Sequence, residues 1–150
     1  MINFFQFLVS TILSILLLIV IAFADDHGNI IKERKSLFKQ NYSHAKRMSA
    51  EITKGNNEKV IELSQKMSTN YDRLLDLFPD NTKIGYDTEA LPTIWLQKEE
   101  FNALMIETSN KVKEFTVLAS ELTGDELKDA QKKLIWSSCK TCHDKFRMPH

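Results

Sequence analysis

The chain has 150 residues, with 20 Lys+Arg balanced by 20 Asp+Glu, so its formal net charge is zero. That length allows one domain with its own core, and the charge balance offers no electrostatic case for nucleic acid or an anionic membrane surface. Only 4 Gly and 3 Pro are present, a scarcity of breakers that favours long helices.

The first 24 residues carry no charged side chain, and 8–23 is interrupted only by Ser10, Thr11 and Ser14. Ala22-Phe23-Ala24 then precedes Asp25-Asp26. Small residues at 22 and 24 suit a signal peptidase, so cleavage after Ala24 is expected. This makes 1–24 a signal segment and 25–150 an exported, periplasmic domain. No Lys or Arg precedes the apolar run. Left uncleaved, the stretch is nearly long enough to anchor the chain in a membrane.

Four amphipathic segments follow, with no repeat and no low-complexity linker. The first spans about 28–53, with Ile31, Phe38, Ala45, Met48 and Ile52 on one stripe, and Gly55 is placed to end it. The second spans about 57–78, capped by Asn56 or Asn57. Val60, Leu63, Met67, Tyr71, Leu74 and Phe78 face inward, and Pro79 stops it. The third starts near Pro92, a comfortable first-turn residue, and runs to about 121. Its inward set is Ile94, Phe101, Leu104, Thr108, Val112, Phe115 and Leu118. Thr123-Gly-Asp-Glu126 reads as a capping box for the fourth, which carries Leu127, Ala130, Leu134, Ser138, Cys142 and Phe146. Four antiparallel amphipathic helices with mostly short loops predict an all-α four-helix bundle.

The only two cysteines sit in Cys139-Lys140-Thr141-Cys142-His143, the C-x-x-C-H signature of haem attachment. Residues three apart on a helix share a face, so both thiols can add to the two porphyrin vinyl groups. His143 then projects its imidazole over the iron as an axial ligand. Competing uses fit less well. A structural zinc site needs about four ligands, and His27, His44 and His150 lack paired spacing. A thioredoxin-like motif expects a strand before the first Cys. A disulfide across this spacing inside a helix is strained. Met48, Met67 and Met105 read as core filler, Trp95 and Trp136 as packing residues, and His27 and His44 as exposed. The charged runs at 32–35 and 98–100 read as solvated faces.

With the motif on the last helix of an exported bundle, residues 28–150 resemble the cytochrome c′ family, the class II cytochromes c. Cys139-Lys-Thr-Cys-His-Asp-Lys-Phe-Arg147 is similar to the family's C-terminal signature. Ile31-Lys32-x-Arg34-x-x-x-Phe38, Lys54-Gly55, Leu77-Phe78-Pro79 and Pro92-x-Ile94-Trp95 match further landmarks in the same order. The resemblance implies one covalent haem c inside the bundle, with His143 proximal and Phe38 over the opposite, distal face. Relatives of the cytochrome c-556 type carry Met there as a second ligand, whereas Phe has no lone pair for iron. It also implies Arg34 at a haem propionate, with its solvated surface charge as the alternative. Lys35 would make a backbone or propionate contact, Thr88 and Glu89 would line the haem edge, and Arg147 would lie beside the proximal imidazole.

The expected function is a five-coordinate gas-binding haem protein, not an enzyme, that takes NO or CO and carries one electron for redox partner proteins. No distal hydrogen-bond donor is evident near Phe38 to favour O2. The same gap argues against peroxidase-like or NO-reducing turnover, which needs a distal acid-base residue. The alternative is a six-coordinate, cytochrome c-556-like electron carrier. Relatives are often homodimers packed through their first two helices, which this chain permits.

Overall fold

Each long element can be traced to its end signals. The computed structural model describes residues 2–149, and side chains over 27–149. The expected cleavage point after Ala24 and the apolar run before it lie outside the described side chains. Among the described residues no helix is long and apolar enough to cross a membrane.

Helix α1 is Ile2–Lys54. The helix start expected near 28 is not observed; the backbone runs helically through it, because nothing there breaks it. Gly28 serves a different purpose. A Cβ on it would lie 2.5 Å from the Tyr86 ring, so only glycine lets the 79–91 connection pack this closely on α1. At the other end Gly55 takes φ +73°. Its N–H reaches the Ile52 carbonyl at 3.0 Å, and the Asn56 N–H reaches Glu51 at 2.9 Å, the paired bonds of a Schellman ending.

Helix α2 is Asn57–Leu74, capped by the Asn56 side chain accepting from the Lys59 N–H. It ends four residues short of the expected Phe78. Pro79 disfavours helix at the residue before it, and the freed carbonyls find other donors. Leu77 accepts from Arg34, and Phe78 from Trp95 and Lys98. After a 3-10 turn at Asp80–Thr82, the expected third helix appears in two pieces. These are the short α3, Thr93–Leu96, and α4, Lys98–Glu121. Gln97 leaves helical dihedrals at φ −123°, ψ 45°. This bend lets Ile94 enter the core and sets Trp95 against Phe78.

The fourth rod comprises α5, Gly124–Gln131, a π segment at Lys132–Trp136, and α6, Ser137–Phe146. The expected capping box does not close, and Thr123 makes no side-chain cap bond. Gly124 instead enters the helix at φ +56°. The π segment widens the helix by one residue per turn. It buries Leu134 and Ile135 ahead of Ser138.

Helix α2 packs along both α1 and α4, and the α5–α6 rod closes the bundle against α1 and α4. The core holds Ile31, Met48, Leu63, Met67, Leu74, Met105, Val112, Phe115, Leu127 and Ile135, all under 2% exposed. Each such side chain adds about 1.5–3 kcal/mol by leaving water. Phe38, Leu104, Leu118, Ala130 and Cys142, expected inward, are half-buried. The architecture is an all-α four-helix bundle, with no strand among the described residues beyond one isolated bridge, Ala90 to Arg147.

Candidate haem site

The two thiols lie on one face of α6, half-buried and free of any disulfide. Cys139 faces α2, where the Tyr71 hydroxyl is within hydrogen-bond reach of its sulfur. Cys142 faces α4, beside Thr108. Burial pushes both thiols above the usual cysteine range, and the neighbouring hydroxyls partly offset it. Burial likewise drives the Tyr71 phenol well up, reinforced by Cys139. The pair therefore points into the bundle as neutral thiols three residues apart, as addition to two vinyl groups requires.

His143 follows on the exposed side of α6. It lines a cleft of about 390 Å³ with Lys140, Asp144, Arg147, Met148 and Pro149. Arg147 lies just past the helix end in extended backbone. Its Nε is buried without a hydrogen-bond partner, a donor left open in the cleft that holds the imidazole.

Phe38 is half-buried on α1, its ring edge-on to Phe78 at 6.4 Å. Phe78 meets Phe101 edge to face at 4.7 Å, and Phe101 meets Phe146 the same way at 5.3 Å. An aromatic chain thus runs from α1 to the last helix, where Phe146 lies three residues after His143.

Arg34 lies deep in the junction between α1 and the 75–92 connection. It is 2% exposed, which rules out the solvated-charge reading. Its guanidinium donates to the Leu77 carbonyl at 3.3 Å, to the Thr82 hydroxyl and carbonyl at 3.1 Å each, and to the Thr88 hydroxyl at 2.6 Å. The cation also lies over the Phe78 ring at 4.6 Å. Desolvation lowers it to about 10, so it stays charged at neutral pH. Arg34 therefore clamps the 75–92 connection to α1. Lys35 makes the backbone contact, donating to the Tyr86 and Asp87 carbonyls at 3.2 and 2.9 Å. Those two residues have φ of 52°, a left-handed conformation that costs about 1 kcal/mol each or more outside glycine. The Lys35 bonds hold them there, with Arg34 fixing Thr88 next along. Glu89 engages through its carbonyl, which accepts from the Met148 N–H at 2.9 Å. Arg34, Lys35, Thr88, Glu89 and Arg147 are so gathered at one end of the bundle. Cys139 and Cys142 lie further along, facing α2 and α4.

Sequence reasoning passed over Asn41, Thr82 and Gln131 as site or clamp residues. All three are buried. Asn41 did carry a signal, because it interrupts the apolar stripe between Phe38 and Ala45. His27 and His44 are half-buried rather than exposed, and His44 Nδ1 is buried without a partner. Met48, Met67 and Met105 are core residues as expected.

An antiparallel bundle with a paired-thiol and imidazole motif on its last helix defines a class, the helical cytochromes with thioether-linked haem. The family description Cytochrome C′ matches residues 29–147. Cytochrome c′ of Rhodopseudomonas palustris is 30% identical over 129 residues, covering 83% of this chain and 86% of that protein. The crystal structure of cytochrome c′ from Rubrivivax gelatinosus superposes with a TM-score of 0.71 at 26% identity, covering 81% of this chain and 96% of that one. A structure of oxidised cytochrome c556 from R. palustris shares the fold, with a TM-score of 0.68 at 19% identity over 81% of this chain and 97% of that one. The chain belongs to the cytochrome c′ family. It carries, as the family does, one covalent haem of the c type. The free, inward-facing thiol pair and the open Arg147 donor beside His143 fit that group.

Proposed function

We propose that Cys139 and Cys142 form the two thioethers, that His143 supplies the axial nitrogen, and that Phe38 covers an open sixth position that admits NO or CO. Once bound, the haem supplies a one-electron couple and an axial site for a small ligand. The protein's part is to orient and to exclude. Two bonds from one helix face fix the ring against α2 and α4. Arg147 lies where its Nε can donate beside the imidazole and moderate its basicity. Thr88, pinned by Arg34, and Glu89, whose carbonyl accepts from the Met148 N–H, border the haem edge in this reading, with Arg34 positioning the loop from behind. Phe38 offers an apolar lid, which small uncharged gases cross with little desolvation cost.

One observation carries the open-site reading: among the described residues α1 holds no methionine within two turns of Phe38. Met48 lies ten residues on, about 15 Å along the helix axis, and is fully buried in the core. Met148 lines the His143 cleft instead. The protein belongs outside the cytoplasm, as a domain of 25–150 released by cleavage after Ala24, and an intact mass of the exported product checks that boundary. A second copy pairs with the first through α1 and α2 in this reading, where Tyr42 is 58% exposed. Sedimentation at graded concentrations tests the pairing.

The test is the optical and EPR spectrum of protein matured in a host with haem-attachment machinery. A high-spin ferric signal and a ferrous form that takes up CO are expected. A low-spin ferric spectrum with no CO uptake overturns the open site in favour of the six-coordinate electron carrier. The Cys139→Ser, Cys142→Ser double variant is expected to lose the covalent haem mass.

A further inference from the structure

One buried polar group is left without an explanation by packing. Asn41 lies three residues after Phe38 on α1, so the two side chains share a face, and it is 2% exposed. Its Oδ1 accepts a hydrogen bond from Asn70 Nδ2 at 2.9 Å. In that pairing the Asn41 oxygen faces α2 and serves as the acceptor. The Nδ2 donor is thereby turned away from Asn70. It is buried and makes no close hydrogen bond. The Tyr71 hydroxyl, next along α2, is within reach of one of its two N–H groups and of the Cys139 sulfur, which leaves the second N–H open. An unmade bond at a buried donor costs about 1–3 kcal/mol, and such groups in native proteins call for a function.

We infer that the Asn41 amide is a hydrogen-bond donor held ready inside the haem pocket, next to Phe38, for the outer atom of a diatomic ligand. The inference rests on the open-site reading above and changes its chemistry. An entirely apolar pocket treats NO, O2 and CO alike apart from their intrinsic affinities. A single fixed N–H favours the diatomics whose outer atom gains negative charge on binding, O2 and NO, over CO, which gains least. Phe38 keeps ions and bulk water out, so the donor acts in a low dielectric where one hydrogen bond counts for more than at the surface. Tyr71 backs the amide from α2 and ties it to the helix face that carries the first thioether cysteine. From sequence no donor is evident near Phe38, because Asn41 reads as a polar break in an apolar stripe until α2 is packed against it.

The test uses the haem-loaded protein with CO as probe. In the ferrous, CO-saturated wild type, the infrared C–O stretch is expected to shift between protein equilibrated in H2O and in D2O. The Asn41→Leu variant is expected to move the stretch to higher frequency and remove the isotope sensitivity. Its ratio of O2 to CO affinity is expected to fall about five- to tenfold, the size of one lost neutral hydrogen bond. A wild-type stretch indifferent to D2O overturns the inference, whether or not the variant folds. So does an Asn41→Leu protein with wild-type absorption and circular dichroism whose stretch and affinity ratio are unchanged. A wild type that is low-spin before any gas is added and takes up no CO fails at the earlier step. It removes the open site, and the donor role with it.

Discussion

The Arg34 guanidinium donates to the Thr88 hydroxyl at 2.6 Å, across 54 residues of sequence, and so ties α1 to the far end of the α2–α3 connection. The same cation serves Leu77 and Thr82. One buried charge thereby organises a loop that has little core of its own. Removing it takes a donor from two carbonyls and two hydroxyls at once, the hydroxyls keeping only their bonds to Pro79 and Ala90. Arg34→Ala is expected to destabilise the haem-loaded protein by about 2–4 kcal/mol, the range for losing charge-assisted bonds to buried acceptors. Arg34→Lys is expected to recover less than half of that, because an ammonium lacks the planar fork. Urea denaturation followed by circular dichroism measures both. A loss under about 0.5 kcal/mol for Arg34→Ala counts against the clamp.

Phe38 and the iron's coordination state can be tested by giving α1 a ligand. Phe38→Met is expected to turn the ferric spectrum from high-spin toward low-spin and to slow CO uptake by the ferrous form. Met matches Phe in bulk closely enough for the half-buried site to accept it. A variant that stays high-spin and takes up CO at the parent's rate shows that residue 38 does not face the iron.

Gln131 closes the α1–α5 contact. Its Nε2 donates to the Ala45 carbonyl at 2.8 Å, and its Oε1 accepts from Ser49 at 2.8 Å, in a side chain 1% exposed. Gln131→Leu keeps the volume but leaves the Ser49 hydroxyl without this acceptor and the Ala45 carbonyl without this donor. A loss of about 1–3 kcal/mol is expected, read as a lower thermal midpoint. Gln131→Glu is expected to cost more, since a buried carboxylate cannot donate to the carbonyl.

The surface pair Arg73–Glu33 joins α2 to α1 through two bonds, at 2.7 and 3.0 Å. The Arg73 hydrogen bond is the main reason the Glu33 carboxyl titrates below its usual range. A lowered acid contributes stability above its unfolded pKa and loses it as pH falls through the folded value. Both side chains are at least 40% exposed, so solvent screening limits the effect to about 0.2–1 kcal/mol. Wild type is expected to exceed Glu33→Gln by that much at pH 7, with the gap closing as pH falls below the ordinary carboxylate range and shrinking in high salt. A gap that persists at pH 2 would show that packing rather than charge carries it.

Much of this molecule was legible in one dimension because helices are local objects. Periodicity located the buried faces of α1, α2 and α4, and Gly55 and Asn56 marked the first turn through backbone rules that act over a few residues. The C-x-x-C-H pentapeptide placed both thiols on one face by helix geometry alone. What the chain could not reveal by itself was non-local. The Leu77, Phe78 and Thr82 carbonyls, left out of helical pairing around Pro79, find donors only because Arg34, Trp95 and Lys98 arrive from elsewhere. The bend at Gln97 and the π segment at Lys132–Trp136 answer to packing rather than propensity. Asn41 became a candidate donor only when Asn70, on a different helix, took its oxygen. Backbone pattern is written in spacings of three and four. The partner of a buried polar atom is chosen when distant segments meet, and no local spacing encodes that meeting.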